Sequence, residues 1–311
     1  MTGEPPLPVF VNPAGGSADA VRAAVRADAR FILREVAPDR LGGALAAAAA
    51  AGAHRIAVAG GDGTIAIAAA AAAEHGFELA VLPGGTLNHF ARDLGLPLGD
   101  LAACLTIAAV GAAAPADLGT VNGRPFLNTS AVGAYVSFVR TRERLERWAG
   151  YRLASALAAV RVWLGLHAFG VVVREGERAV DAAHLAGSPL VFVGVGERDL
   201  SRAGRGARVP GGRAALHVVV VRARSRRAVL ALAARAAAQG LAALADTSAV
   251  DVILVDACEV RLRRPRGRVA VDGEIVGMRA PLVYRVDRGA FRVVAPNAPG
   301  GGPPGADPVR T

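Results

Sequence analysis

The sequence predicts an α/β fold: an N-terminal doubly wound parallel-sheet domain followed by a C-terminal antiparallel β-sandwich domain. Three observations carry this expectation. Apolar runs alternate with helical stretches over the first 120 residues, as βαβ units require. From Pro115 onward, short valine-rich runs follow one another closely, as in an antiparallel sheet or sandwich. Glycine-rich turns follow three of the N-terminal strands, at the points where the chain passes into a helix.

The elements follow in order. Pro8–Asn12 (PVFVN) reads as a buried strand and Ala18–Arg30 as a helix with apolar residues at helical spacing. Phe31–Val36 is a second strand, and Asp39 or Arg40 to Ala53 an alanine-rich helix. Arg55–Ala59 (RIAVA) and Glu78–Leu82 (ELAVL) are further buried strands, separated by a helix over Thr64–His75. The later strands are expected at Ala116–Val121, Pro125–Ala131, Phe169–Arg174, Pro189–Val195, Ala214–Arg222, Val250–Val255, Glu259–Arg264, Arg268–Val271, Leu282–Val286 and Phe291–Val294. Helices over Val136–Leu166 and Ser225–Ala245 interrupt them. The expected domains are residues 1–118 and 119–295, with the final strand packing back on the first domain. The Pro/Gly-rich residues 296–311 are expected to be a disordered tail.

Composition narrows the chemistry. All 36 basic side chains are arginine, so the chain contains no lysine. A Walker phosphate loop, a protein-kinase strand lysine and a Schiff-base lysine are all excluded. Cys104 and Cys258 stand far apart without metal-ligand spacing, which argues against a disulfide framework or a zinc site and fits a reducing cytosol. The start of the chain lacks the cationic and apolar pattern of a signal peptide. Arg161 and His167 interrupt the best apolar stretch, Leu153–Val173, so it reads as helix and strand within a soluble protein.

Charge is unevenly spread. Residues 1–150 hold 12 Arg against 13 acidic residues, whereas residues 151–311 hold 24 Arg against 13. A basic second half suits an anionic surface, either nucleic acid or phospholipid headgroups. Aromatic residues make up only 5% of the chain, which disfavours stacking on single-stranded nucleic acid.

The candidate site lies in the three turns: Asn12-Pro13-Ala14-Gly15-Gly16-Ser17, Gly60-Gly61-Asp62-Gly63-Thr64 and Pro83-Gly84-Gly85-Thr86-Leu87-Asn88. In an open α/β sheet, ligands bind beyond the carboxyl ends of the strands. Glycines let backbone N–H groups approach phosphates, and helix N-termini add partial positive charge. Such a cradle needs no lysine. Asp62 has no evident structural task among these amides and suits a Mg²⁺ ion held beside a phosphate.

Gly60–Thr64 (GGDGT), Pro83–Ala91 (PGGTLNHFA) and Val11–Ser17 (VNPAGGS) together resemble the catalytic domain of the diacylglycerol kinase family, in its bacterial soluble lipid-kinase branch. The wider fold is shared with sphingosine kinases, NAD kinases and phosphofructokinases. The likeness continues through Ala116–Gly133 and Ala270–Glu274 (AVDGE). It implies that Asn12, Pro13, Ala14, Gly15, Gly16, Gly60, Gly61, Asp62, Gly63, Thr64, Ile65, Ala66, Thr86 and Asn88 bind ATP. It places Asp62, with Asp117, at the Mg²⁺ ion. In the family, the late DGE projects into an interdomain cleft. Asp272 and Glu274 would activate the lipid hydroxyl, one of them as general base, and which of the two remains open. If the strand continued through them, both side chains would lie on one face; alternatively, Asp272-Gly273 is a hairpin turn. Arg92 and Arg124 are candidates for orienting carboxylates or phosphates, and His89 for packing or hydrogen bonding.

Two departures stand out. Phe31–Ala37 lacks the threonine that usually touches the nucleotide in the family. Val209-Pro210-Gly211-Gly212-Arg213 has glycine where many members carry an aspartate that holds a structural Mg²⁺. The arginine- and glycine-rich segment Gly194–Arg208 reads as a mobile loop over lipid headgroups. The expected function is ATP- and Mg²⁺-dependent phosphorylation of a hydroxyl of diacylglycerol or a related lipid. The protein is expected to be cytoplasmic and to attach peripherally to the inner, anionic face of the membrane, without nucleic acid as a partner; a homodimer is compatible with this. The alternatives are a kinase of a soluble substrate such as NAD, or a catalytically weak nucleotide- or lipid-binding homologue. The chain has no Asn-Glu pair of the kind NAD kinases carry.

Overall fold

The computed structural model describes residues 5–296 apart from 165–168, 173, 176–177, 180–184, 189, 202–205, 222–226, 228–230, 233–234, 236–249 and 263. The chain divides into two compact units. One is built from the residues up to Leu118 and again from Asp287; the other runs from Gly119 to Val286.

In the first unit, β1 (Leu7–Val11), β2 (Phe31–Glu35), β3 (Arg55–Gly60) and β4 (Glu78–Pro83) form a parallel sheet in the order β2-β1-β3-β4. The far end of the last strand adds to β4 in parallel, with Val293 opposite Leu79. Strands covered on both faces must be apolar throughout, and Ile56–Ala59 and Leu79–Leu82 are buried without a break. The connecting helices are α1 (Ala18–Arg26), α2 (Leu41–Ala50) and α3 (Asp62–His75), followed by α4 (His89–Asp93) and α5 (Leu101–Val110). Helix α1 buries Ala18, Val21 and Val25, one face at helical spacing. Helix α3 carries so much alanine that most of its length can press on the sheet, and Gly76 ends it in the left-handed conformation (φ 74°).

Helices α2 and α3 pack together, as do α1 and α5, so the sheet is wound on both faces. The chain leaves β1 for β2 on one side and returns past it to β3. The direction of winding therefore reverses between β1 and β3, the switch point at which such sheets bind ligands.

In the second unit, β5 (Ala112–Val121), whose end belongs here, turns through Asn122-Gly123 into β6 (Arg124–Phe126). The remaining strands are β7 (Thr129–Gly133), β8 (Phe169–Val172), β9 (Arg174–Glu175), β10 (Arg178–Ala179), β11 (Leu185–Ser188), β12 (Leu190–Val195), β13 (Leu216–Val221), β14 (Val250–Val255), β15 (Ala257–Val260), β16 (Arg266–Val271), β17 (Glu274–Arg279) and β18 (Leu282–Ala295). Six form an antiparallel sheet in the order β14-β13-β12-β7-β16-β17. The first half of β18 pairs with β15, and β15 with β8.

Alternate residues of the two sheets share one core: Val191, Val193 and Val195, with Val218, Val220, Val269 and Val271, meet Cys258, Val260, Leu282 and Tyr284. The Tyr284 hydroxyl, fully buried, pairs with Ser130 Oγ at 3.0 Å, and its ring meets Phe126 edge-on. Between β7 and β8 runs α6 (Ala134–Leu164), interrupted at Gly150 (φ 68°, ψ 166°). No helix among the described residues is long and apolar enough to cross a membrane.

The α/β and antiparallel halves thus match the predicted fold class, with local corrections. The strand expected over Pro125–Ala131 is two, β6 and β7, because the chain at Leu127-Asn128 turns its amides toward Asp272. The strands expected at Leu282–Val286 and Phe291–Val294 are one, β18, which runs through its polar middle. Helices α4 and α5 and strands β10, β11 and β17 had no counterpart in the expected elements. The helix expected over Ser225–Ala245 and the tail beyond Pro296 lie largely outside the described residues.

Candidate functional site

The three glycine turns leave the carboxyl ends of β1, β3 and β4. In the first, Asn12 Oδ1 accepts the Ala14 N–H (3.1 Å) and the Asn12 carbonyl accepts the Gly15 N–H (3.0 Å), which folds the loop back before α1. In the second, Gly61 is extended and α3 begins at Asp62. In the third, Asn88 adopts the left-handed conformation (φ 49°) and grips Gly85 from both sides. Its Oδ1 accepts the Gly85 N–H (2.8 Å), and its Nδ2 donates to the Gly85 carbonyl (2.7 Å).

The turns touch one another. Ser17 Oγ donates to the Gly84 carbonyl (3.0 Å), and the Gly84 N–H donates to the Gly60 carbonyl (2.9 Å). A Cβ on Gly84 would lie 2.6 Å from Ser17 Oγ, and one on Gly85 2.5 Å from the Gly61 Cα. Only glycine fits this approach. Pro13, Ala14, Gly16 and Thr86 are exposed along the rim; Asn12, Gly15, Gly60, Gly61, Gly63, Thr64 and Asn88 are half-buried. Ile65 and Ala66 face the core and support the cradle from beneath.

Asp62 is buried, and both its oxygens are engaged: Oδ2 accepts the His89 N–H (3.1 Å) and Oδ1 the Phe90 N–H (3.0 Å). The carboxylate thus fastens the start of α4 to the central turn, a structural task for which sequence reading had left no room. Asp117 accepts the Gly289 N–H on Oδ1 (3.0 Å). Among the described residues, no three His, Cys, Asp or Glu side chains gather to hold a metal.

In the second unit, Val271 pairs with Glu274 across the β16–β17 hairpin, so Asp272-Gly273 is its two-residue turn. Both residues have positive φ (44° and 88°), as a type I′ turn requires. The same-face reading of Asp272 and Glu274 is therefore corrected: the strand does not run through them. The Asp272 carboxylate meets three consecutive amides. Oδ2 accepts the Leu127 N–H (2.7 Å), and Oδ1 accepts those of Asn128 and Thr129 (2.9 Å each). Glu274 Oε2 takes an ion pair from Arg124 (2.7 Å), both side chains substantially exposed.

Residues 6–121 match the diacylglycerol kinase catalytic domain. A diacylglycerol kinase of Bacillus subtilis (strain 168) is 44% identical over 55 residues, which is 18% of this chain and 18% of that protein. A probable lipid kinase YegS-like protein of Pseudomonas aeruginosa (strain UCBPP-PA14) is 46% identical over 74 residues, 23% of this chain and 24% of that one. The chain thus spans about a fifth to a quarter of the length of these curated relatives. Two solved structures assigned as diacylglycerol kinases of Bacillus anthracis str. Sterne superpose with TM-scores of 0.68 and 0.63, at 20% and 18% identity. Each covers 96% of this chain, and 99% of the solved chain is matched. At these identities the likeness is one of fold.

Beyond the matched residues 6–121, the structure identifies residues that sequence reasoning missed. Val209–Arg213 offers no carboxylate, and the nearby Glu197 carboxylate already accepts the Arg213 N–H (3.0 Å). The Arg198 guanidinium is buried (6% exposed) among backbone carbonyls. Arg198 is thus held within the fold, while residues 202–205 of the expected mobile loop lie outside the described residues.

His217 Nδ1 accepts the Arg198 main-chain N–H (2.8 Å), so its proton sits on Nε2, which is buried and finds no partner among the described residues. Burial lowers the His217 pKa, with Arg198 lowering it further and Glu197 opposing. The folded protein therefore binds this proton less readily than the unfolded chain. The stability contributed by neutral His217 is complete above the unfolded value, about 6.5, and is lost as pH falls below it. Thermal melts from pH 8 to 5 are expected to show a declining midpoint below about pH 6.5. His217→Asn, which keeps an acceptor for Arg198, should show a shallower decline. An identical decline in both proteins would remove His217 from the account.

Proposed function

We propose that the protein phosphorylates a lipid hydroxyl, that of diacylglycerol or a related lipid, at the expense of ATP. The observation that carries this is the convergence of three glycine turns at a sheet switch point within a diacylglycerol kinase catalytic segment. The first unit would bind ATP, its phosphates held by the amides of Gly15–Gly16, Gly60–Gly63 and Gly84–Gly85. Phosphoryl transfer needs mainly positioning and charge stabilisation, which amides and arginine supply without lysine.

Asp62 fits the metal that accompanies ATP. Its carboxylate stands in the central glycine turn at the start of α3, and Mg²⁺ is commonly held by one or two carboxylates with phosphates and water. Mg²⁺ there would offset phosphate charge. The second unit would take the acyl chains, and a carboxylate of the DGE segment would accept the hydroxyl proton. Its excess of arginine, together with Trp148 (90% exposed) on α6, suits peripheral attachment to anionic lipid at the inner face of the membrane, at about 1 kcal/mol per basic residue near the surface.

The test offers radiolabelled ATP with Mg²⁺ to the full chain alongside diacylglycerol micelles, phosphatidylglycerol vesicles, sphingosine micelles and NAD in separate reactions. Label is expected on a lipid. Label on NAD alone would overturn the proposal in favour of a soluble-substrate kinase.

A further inference from the structure

The three amides that hold Asp272 belong to a segment that is itself held from behind. The Asn128 carbonyl accepts Arg198 Nη2 (3.2 Å) and the Val195 N–H (3.0 Å), and the Leu127 carbonyl lies 3.5 Å from Arg208 Nη2. Arg198 is fixed at each of its polar ends. Nε donates to the Val195 carbonyl (3.1 Å), Nη1 faces the Gly206 carbonyl (3.4 Å), and the main-chain N–H donates to His217. The space for both arginines is built in. A Cβ on Gly194 would lie 3.0 Å from Arg198 Cγ, and one on Gly196 3.0 Å from Arg208 Nε.

Peptide groups 127–129 therefore present their N–H ends to a carboxylate, while the carbonyls of Leu127 and Asn128 face two guanidinium groups. The two peptide groups that join Leu127 to Asn128 and Asn128 to Thr129 thus lie with their positive ends toward the negative charge and their negative ends toward a cation, so that each charge strengthens the other's hydrogen bonds. A buried guanidinium is costly unless compensated, and carbonyls polarised by Asp272 compensate it.

From this geometry we propose that Arg198, with Arg208, is a positioning residue for Asp272: it locks the Leu127–Thr129 amide cradle and stabilises the ionised carboxylate through it. The proposal rests on the proposed function with Asp272 taken as the DGE carboxylate that accepts the proton, and the experiment separates the two. Arg198→Met removes the charge at similar volume; Arg198→Lys keeps the charge and loses the fork. Each variant is assayed with diacylglycerol micelles across pH, and the Asp272 carboxylate is titrated by carbon NMR, its resonance assigned from Asp272→Asn.

For Arg198→Met, kcat is expected to fall about ten- to a hundredfold with the KM for ATP little changed, as displacement of a reacting group produces. The Asp272 titration and the acid limb of kcat should both move to higher pH, since a favourable charge has gone. Arg198→Lys should restore the limb but only part of kcat. A fall in kcat with an unmoved titration and limb would mark Arg198 as merely structural and overturn the inference. Full activity in Asp272→Asn would instead overturn the base reading. Should Arg198→Met fail to fold, Arg208→Met decides in its place: a shift in the same direction supports the inference, and an unmoved titration overturns it.

Discussion

Asp272→Asn is expected to fold and to lose phosphoryl transfer by about 10²- to 10⁴-fold, the range a positioned general base contributes. The amide can turn its oxygen toward the Asn128 and Thr129 N–H groups and keep two of the three bonds. Its NH₂ then faces the Leu127 N–H, donor against donor, which costs about 1–3 kcal/mol of stability. Glu274→Gln should behave differently. The Glu274–Arg124 pair is 58% and 41% exposed and worth at most about 1 kcal/mol. Its loss should leave the melt almost unchanged and the rate within about tenfold, the effect of a group outside the transition state. Melting curves and single-turnover rates of the two variants therefore choose between the carboxylates. The reverse ranking would move the base to Glu274.

The hairpin turn at Asp272-Gly273 was not legible in the sequence, and the reason is physical. AVDGE can continue a strand or turn a hairpin, and the period-2 pattern does not distinguish them. What decides is the pairing of Val271 with Glu274 and the amides of Leu127–Thr129, more than a hundred residues away in the chain. The same long-range bonds split the run Pro125–Ala131 into two strands. Asp62 is similar: its partners, His89 and Phe90, lie 27 and 28 residues on, so a residue that looked free for metal alone also fastens a helix. Arg198 shows the limit from the other side. In sequence it is one arginine in a basic, glycine-rich loop, and nothing local reveals that Gly194 and Gly196 clear room to bury it and its neighbour.

What could be read was local. Buried parallel strands need unbroken apolar runs, so β1, β3 and β4 were visible. Their glycine turns were visible too, because close backbone approach excludes every other residue. The N-terminal half of the fold and the place of its cradle followed from those two facts. The reversal between β1 and β3 then brought the turns together.

Gly85→Ala tests that convergence most severely. The added methyl would sit 2.5 Å from the Gly61 Cα, 3.3 Å from the Gly61 nitrogen and 3.0 Å from Asn88 Oδ1. None of these is the end of a flexible side chain; two are backbone, and Asn88 is pinned to Gly85 by two hydrogen bonds. Relief therefore requires the second and third turns to part, which costs about 1–3 kcal/mol as overpacking. Parting them moves the amides of Gly61 and Gly85 away from a common phosphate, and a displacement of that order costs about a hundredfold in rate. Binding of a fluorescent ATP analogue and kcat/KM for the lipid should both fall by at least that factor, with the protein still folded. Gly99→Ala serves as the control, since a Cβ there meets nothing within 4 Å and Gly99 lies outside the turns. Undiminished nucleotide affinity in Gly85→Ala would show that the phosphates are not held where these turns meet.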